Sequence, residues 1–196
     1  MGCTESTLVQ QSNPMLQWNQ KGDLGSGSYG AVKALERRSD RFAAAGKVAT
    51  VESTESLIGF QNEIKLLSMC YHPNITRFIE AYFFESELWI IIEKATGGSM
   101  SSVLDKRPKG LAEPEVAACA YQLLDAVAYL HGMQIIHRDI NAANTLISQD
   151  GLIKLADFGV STISKKNKQG TFIGSPMWMA PEVIKCETDP NNRYTN

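Results

Sequence analysis

Residues His137 to Gly159 read HRDINAANTLISQDGLIKLADFG, and their polar side chains fall in an order that chemistry can use. Asn144 follows Asp139 by five positions, and Asp157-Phe158-Gly159 begins 13 positions after Asn144. Asp139 is a carboxylate able to accept a hydroxyl proton. Asn144 and Asp157 supply an amide oxygen and a second carboxylate, both suited to a hard divalent cation. Together these are the parts that phosphoryl transfer requires. Asp-Phe-Gly alone is a common turn sequence. Its meaning comes from standing after His-Arg-Asp and Asn and before Ala180-Pro181-Glu182. Inside the stretch, NTLIS and LIKLA flank Gln149-Asp150-Gly151 and predict a β-hairpin.

Downstream, Gly159 to Pro181 shows no periodicity and predicts a long functional loop. Upstream, Glu113-Pro114-Glu115 opens a helix from about 114 to 131, with acid at its positive end and His131 and Gly132 at its close. That helix carries two apolar stripes. Val116, Leu123, Val127 and Leu130 form one, and Ala117, Tyr121, Leu124 and Ala128 the other, so cover is expected on two faces. Before it, Thr96-Gly97-Gly98-Ser99 reads as a linker separating this helical part from a β-rich one.

The β-rich part spans 16–95, with the runs LQWNQKGDL, YGAVKAL, AAAGKVAT, ITRFIEAYFF and LWIIIE. One helix interrupts them, because Leu57, Phe60, Ile64 and Leu67 recur at helical steps. Gly25-Ser26-Gly27-Ser28-Tyr29-Gly30-Ala31-Val32 is a G-x-G-x-x-G-x-V run whose glycines let backbone amides approach a phosphate. A ligand-free hairpin turn is the other reading. A dinucleotide fingerprint fits less well, since strand-like AVKAL rather than a helix follows. Lys47 alternates with Ala45 and Ala49 on one strand face, and Glu63 sits on the inward side of the helix. Each could be an ordinary surface charge. As a pair they suggest an ion pair that aims the lysine at phosphate oxygens. Residues 1–15 are polar and predict a flexible leader.

Composition removes other classes. The 196 residues are 43% hydrophobic, enough for one or two packed lobes. Lys and Arg total 19 against 21 Asp and Glu, which argues against nucleic acid. No apolar run approaches the ~20 residues of a membrane span. Cys3, Cys70, Cys119 and Cys186 form no CxxC pair, so neither zinc nor a disulfide framework is expected, and a reducing, cytoplasmic address fits.

The ordered motifs from Gly25 to Glu182 resemble those of the eukaryotic protein kinases. Gly174-Ser175-Pro176-Met177-Trp178-Met179-Ala180-Pro181-Glu182 is similar to the germinal-centre, or sterile-twenty-like, serine/threonine kinases. VIKCET at 183–188 and the alanine run before Lys47 resemble the members related to lymphocyte-oriented kinase. The resemblance implies an α+β, two-lobe fold, with a β-rich N-lobe (16–95) and a helical C-lobe (96–196) present only in its first part. It implies transfer of the ATP γ-phosphoryl to serine or threonine hydroxyls of protein substrates, with magnesium. On that basis Gly25, Ser26, Gly27, Ser28, Tyr29, Gly30 and Ala31 cover the phosphates. Leu24, Val32 and Ala45 line the adenine pocket, with Ile92 at its back and Glu93 to Ala95 as the hinge. Lys47 holds phosphates and pairs with Glu63, Asp139 is the base, and Asn144 and Asp157 hold magnesium. Thr171 matches an activating phosphothreonine, made by an upstream kinase or by self-phosphorylation, with Arg138 as its partner.

Two departures set expectations of their own. Serine/threonine kinases carry lysine two positions after the catalytic aspartate, and here that residue is Asn141; Ala143 stands where tyrosine kinases place arginine. No cation from this loop faces the transferring phosphate, which leaves open a nucleotide-binding scaffold with little activity. The chain also ends just past Ala180-Pro181-Glu182, so a fragment or short form is expected, with one stripe of the 114–131 helix uncovered. Met1-Gly2-Cys3-Thr4-Glu5-Ser6 fits an acylation pattern at Gly2 and Cys3 that would give a lipid anchor.

Overall fold

Alternating apolar positions and β-branched residues build strands wherever the sequence reading placed them. The computed structural model describes residues 8–27, 30–164, 169–189 and 191–195. Gly2, Cys3, Ser28 and Tyr29 therefore lie outside the described residues. Two compact units divide the chain, one comprising residues up to Tyr71 with Thr76–Lys94, the other His72–Ile75 with everything from Ala95. The boundary falls one residue before the expected one, and His72–Ile75 joins the second unit through the backbone bridge between Ile75 and Leu155.

In the first unit, β1 (Val9–Gln10), β2 (Trp18–Gly27), β3 (Gly30–Arg37), β4 (Ala43–Thr50), β5 (Phe78–Phe84) and β6 (Glu87–Glu93) form one sheet in the order β1-β5-β6-β4-β3-β2. All contacts are antiparallel except β1 with β5, which is parallel. The strand β1 and the turn Pro14–Leu16 correct the leader reading for residues 9–15, whereas residues 1–7 lie outside the described residues. Gln10 is tied to the sheet by its amide, which donates to Glu80 at 3.1 Å. The same carboxylate accepts from the Trp18 indole at 2.6 Å. One face packs Trp18, Leu35, Ala44, Val48, Tyr82, Trp89 and Ile91 into a core. A buried aromatic of this size removes roughly 150–250 Å² from water, a transfer gain of about 4–6 kcal/mol.

Helix α1 (Thr54–Met69) starts at Ser53, whose hydroxyl accepts from the Ser56 amide at 3.2 Å. It buries Phe60, Glu63, Ile64, Leu66 and Leu67. Glu63 is the one charged residue among them.

The second unit begins with β7 (Gly98–Ser99) and α2 (Met100–Asp105). Both lie where the sequence suggested a linker or gave no reading. Ser99 ends the strand and caps the helix by accepting from the Ser102 amide at 3.2 Å. Helix α3 (Glu113–Gly132) buries Ala126 and Leu130 and leaves Tyr121 at 75% and Leu124 at 67% exposure, so one stripe stays uncovered as expected. Then come β8 (Ile135–Ile136), β9 (Thr145–Ile147), β10 (Ile153–Leu155), β11 (Thr162–Ile163) and α4 (Pro181–Thr188). The expected hairpin is present as β9 and β10, with β7 on its other side. Asn74 is buried and donates to the Ile153 carbonyl at 2.8 Å and to Gln122 at 3.0 Å, fixing His72–Ile75 against β10. Among the described residues no helix is long and apolar enough to cross a membrane.

Candidate active site

Each unit holds a candidate cluster of its own. In the first, alternation along β4 places Ala45 and Lys47 on the face opposite the Trp18 core. Lys47 stands across from Val32 on β3 and Ile90 on β6, and Ala45 across from Ala34 and Ile92. Lys47 Nζ donates to Glu63 Oε1 at 2.7 Å; the side chains are 11% and 2% exposed. The sheet and α1 thus bring together two charges that the sequence separates by 16 residues. Leu24 is 48% exposed. Glu93 accepts from the Arg77 amide at 2.9 Å, while Ala95 belongs to the second unit, so the expected hinge residues divide between the two.

On either side of residues 28 and 29 the glycine run pairs β2 with β3, Gly25 facing Val32, Ser26 facing Ala31 and Gly27 facing Gly30. Gly25 has φ +140° beside an irregularity in the register. At Gly30, φ is +147° and an added Cβ would lie 2.0 Å from the Val48 carbonyl oxygen, so only glycine fits.

In the second unit the segment 137–144 folds around Asp139. His137 is buried. Its Nδ1 accepts from the Asp139 amide at 3.3 Å and its Nε2 pairs with the Ala156 carbonyl at 3.1 Å, which calls for the neutral ring with hydrogen on Nε2. Burial pushes its pKa down to about 4. The ring meets Phe158 edge-on at 5.0 Å. Arg138 and Asp157 hold φ of +70° and +63°, a strained geometry for side-chain-bearing residues that tends to gather at functional sites.

The Asp139 carboxylate is held from two sides. Asn144 Nδ2 donates to Asp139 Oδ2 at 2.7 Å and to the Asp139 carbonyl at 2.9 Å. On the other side, Oδ1 accepts from the Ser175 hydroxyl at 2.6 Å, the Ser175 amide at 3.0 Å and Asn141 Nδ2 at 3.1 Å. Ser175 was not singled out as a site residue. Its nearest sequence signal is Gly174, whose φ is +121° and whose Cβ, if present, would lie 2.3 Å from the Arg138 carbonyl oxygen. That glycine lets the segment after β11 run against the segment that bears Asp139.

Asn144 spends its amide nitrogen on Asp139, leaving its carbonyl oxygen as the atom a hard cation would take. Asp157 Oδ1 accepts from the Gly159 amide at 3.2 Å, which orients a second oxygen donor in the same unit. This donor set suits magnesium, which is typically held by one or two side chains with water and phosphate completing the shell. Among the described residues no group of three or more His, Cys, Asp or Glu could hold a metal.

Arg138 donates to Gln169 Oε1 at 2.8 Å, and its guanidinium lies 5.8 Å from the Tyr194 ring centroid. The Tyr194 hydroxyl donates to the carbonyl of Thr171, itself exposed, at 3.0 Å. Arg138 and Thr171 are thereby drawn into one cluster whose other members, Gln169 and Tyr194, sequence reasoning missed.

Comparison with known proteins agrees with this geometry. The protein kinase domain family matches residues 18–195. Serine/threonine-protein kinase 10-A of Xenopus laevis is 44% identical over 93% of this chain and 19% of its own length. The human serine/threonine-protein kinase 10 is 40% identical over 93% of the chain and 19% of its own. Serine/threonine-protein kinase cst-1 of Caenorhabditis elegans is 41% identical over 84% of the chain and 33% of its own. The chain thus spans about a fifth to a third of the length of these relatives. With its motifs held in place by the hydrogen bonds above, this chain belongs to the protein kinase domain family and is homologous to sterile-twenty-like serine/threonine kinases.

Proposed function

We propose that the chain is the catalytic portion of a serine/threonine protein kinase, transferring the γ-phosphoryl of ATP to protein hydroxyls. The observation that carries this reading is the hydroxyl of Ser175 donating to Asp139 at 2.6 Å while Asn144 holds the other carboxylate oxygen at 2.7 Å. Asp139 is therefore fixed in an orientation in which a hydroxyl donates to it, as a general base needs. Lys47, braced by Glu63, is the group for nucleotide phosphates. Asn144 and Asp157 are the groups for magnesium, which neutralises the charge developing on the transferred phosphoryl.

The test is phosphoryl transfer from labelled ATP to a serine- and threonine-containing protein, alongside a nucleotide-binding titration. Asp139→Asn should abolish transfer and leave binding intact, whereas Lys47→Met and Asp157→Ala should each weaken binding. Binding unchanged in both of the latter variants would overturn the assignment.

A second reading, a nucleotide-binding scaffold with little transfer, draws support from Asn141, which places a neutral amide beside Asp139 at 3.1 Å instead of a cation. Titratable binding without transfer in the unaltered chain would favour it. Phosphorylation of Thr171 by an upstream kinase or by the chain itself, a cytoplasmic address and acylation at Gly2 and Cys3 belong to the same proposal. Intact mass and fractionation of protein made in eukaryotic cells test them.

A further inference from the structure

Asn141 uses both ends of its carboxamide. Its Oδ1 accepts from the backbone amides of Ala143 and Asn144, each at 2.9 Å, closing a short turn. Its Nδ2 donates to Asp139 Oδ1 at 3.1 Å and to the Ser175 hydroxyl at 3.2 Å. The orientation of the amide is determined by its neighbours: two N–H donors face one end, and a carboxylate and a hydroxyl face the other. Ser175 completes a closed triangle, since its hydroxyl accepts from Asn141 and donates to Asp139 at 2.6 Å.

We propose that Asn141 is a positioning residue that joins the Asp139 carboxylate to Ser175 while its oxygen independently holds the 141–144 turn. The inference rests on reading Asp139 as the base. What looks from sequence like a missing charge is then a different device. A lysine here could donate to Asp139 and Ser175, but it has no acceptor, and the amides of Ala143 and Asn144 would lose theirs. Asparagine serves both ends and brings no charge to the phosphoryl group. The amide of Asn144 is one of the two that Asn141 holds, so the turn also sets the residue assigned to magnesium.

The two ends can be separated by substitution. Asn141→Asp keeps the acceptor and replaces the donor by a like charge facing Asp139. Asn141→Lys keeps a donor and removes the acceptor. Backbone hydrogen exchange in the whole chain reads both ends at once, without depending on activity. In Asn141→Asp, the Ser175 amide should exchange about tenfold faster while those of Ala143 and Asn144 hold their rates, the scale of one lost hydrogen bond. In Asn141→Lys the pattern should reverse. Parallel acceleration at all three amides in both variants would mean a general loosening and would overturn the proposal, as would no change in either. If either variant fails to fold, Ser175→Ala gives a second measure. It should speed exchange of the Asn141 side-chain amide protons and leave the backbone amides of Ala143 and Asn144 unmoved; an unaffected Asn141 side chain overturns the coupling. Should the split appear while Asp139→Asn leaves transfer undiminished, the positioning stands and the base assignment is what fails.

Discussion

Lys47 Nζ and Glu63 Oε1 lie 2.7 Å apart, with the glutamate side chain only 2% exposed. A pair this buried is asymmetric in its energetics: removing one partner leaves an uncompensated charge, at a cost of about 3–5 kcal/mol, whereas replacing both with apolar groups is often close to neutral. Lys47→Met should therefore destabilise the chain markedly in urea unfolding, and Lys47→Met with Glu63→Leu should recover most of the loss. Nucleotide binding should stay weak in both, because the lysine is absent from each. Equal stability of the single and double variants would show that the pair does not act as a buried unit.

Gly174 lies close against the Arg138 backbone, with φ +121° and room for no Cβ beside the Arg138 carbonyl oxygen. An alanine there meets both an unfavourable backbone conformation, at about 1–3 kcal/mol, and a backbone oxygen that cannot move aside as a side chain would. Gly174→Ala should draw Ser175 off Asp139 and open residues 169–179 to protease, with a smaller change in the overall melting temperature. Cleavage at the rate of the unaltered chain would count against the packing described for this glycine.

His137 links stability to pH. Its pKa falls from the ordinary 6.5 to about 4 because it is buried and neutral. Between these values the unfolded chain binds the proton and the folded chain does not. The stability that the neutral His137 ring contributes is therefore present above pH 6.5 and is lost as pH drops toward 4, by about 3 kcal/mol in all at 1.36 kcal/mol per unit. Melting temperatures from pH 7.5 to 4.5 check this. His137→Gln, which lacks the titrating ring, should show a shallower fall, and identical slopes would exclude His137 as the source.

The longer strands β2 to β6, α1, α3 and the β9–β10 hairpin were legible because each carries its own periodicity. Lys47 and Glu63 were legible as inward charges for the same reason. The strands β7, β8 and β11, two residues each, were too short to show a period, and they fall in the expected linker, in no reading and in the expected 159–181 loop. The strand β1 was not legible either, because VQ has no pattern of its own and is ordered by a hydrogen bond from Gln10 to Glu80, 70 residues away. The helix α2 is six residues long, too short for a period to show, and is set by the Ser99 cap. At Asn141 the sequence displayed the missing charge, while the four hydrogen bonds of its carboxamide exist only once the chain has folded. Ser175 was hidden likewise, because nothing local in Gly-Ser-Pro states that it will meet Asp139.

Arg138 and Gln169 suggest how the loop could respond to phosphorylation. The guanidinium, half-buried and held below its ordinary pKa chiefly by that burial, donates to the neutral Gln169 oxygen at 2.8 Å, and its buried Nε has no hydrogen-bond partner among the described residues. A phosphate on the exposed Thr171, two residues from Gln169, offers up to two negative charges and three acceptor oxygens, and charge-assisted bonds of this kind are roughly twice as strong as neutral ones. The phosphate should therefore displace Gln169 and tighten the segment, which Tyr194 already ties down through its bond to the Thr171 carbonyl at 3.0 Å. Limited proteolysis of residues 169–179, with and without phosphate on Thr171, measures the effect. Phosphorylation should slow cleavage several-fold, less so at high salt, where exposed charges are screened. Arg138→Ala should remove the difference between the two forms. Gln169→Ala should speed cleavage of the unphosphorylated chain and leave the phosphorylated one unchanged, since Gln169 would no longer be the partner there. Equal cleavage of the two forms with Arg138 intact would show that this arginine takes its partner from Gln169 alone and does not respond to Thr171.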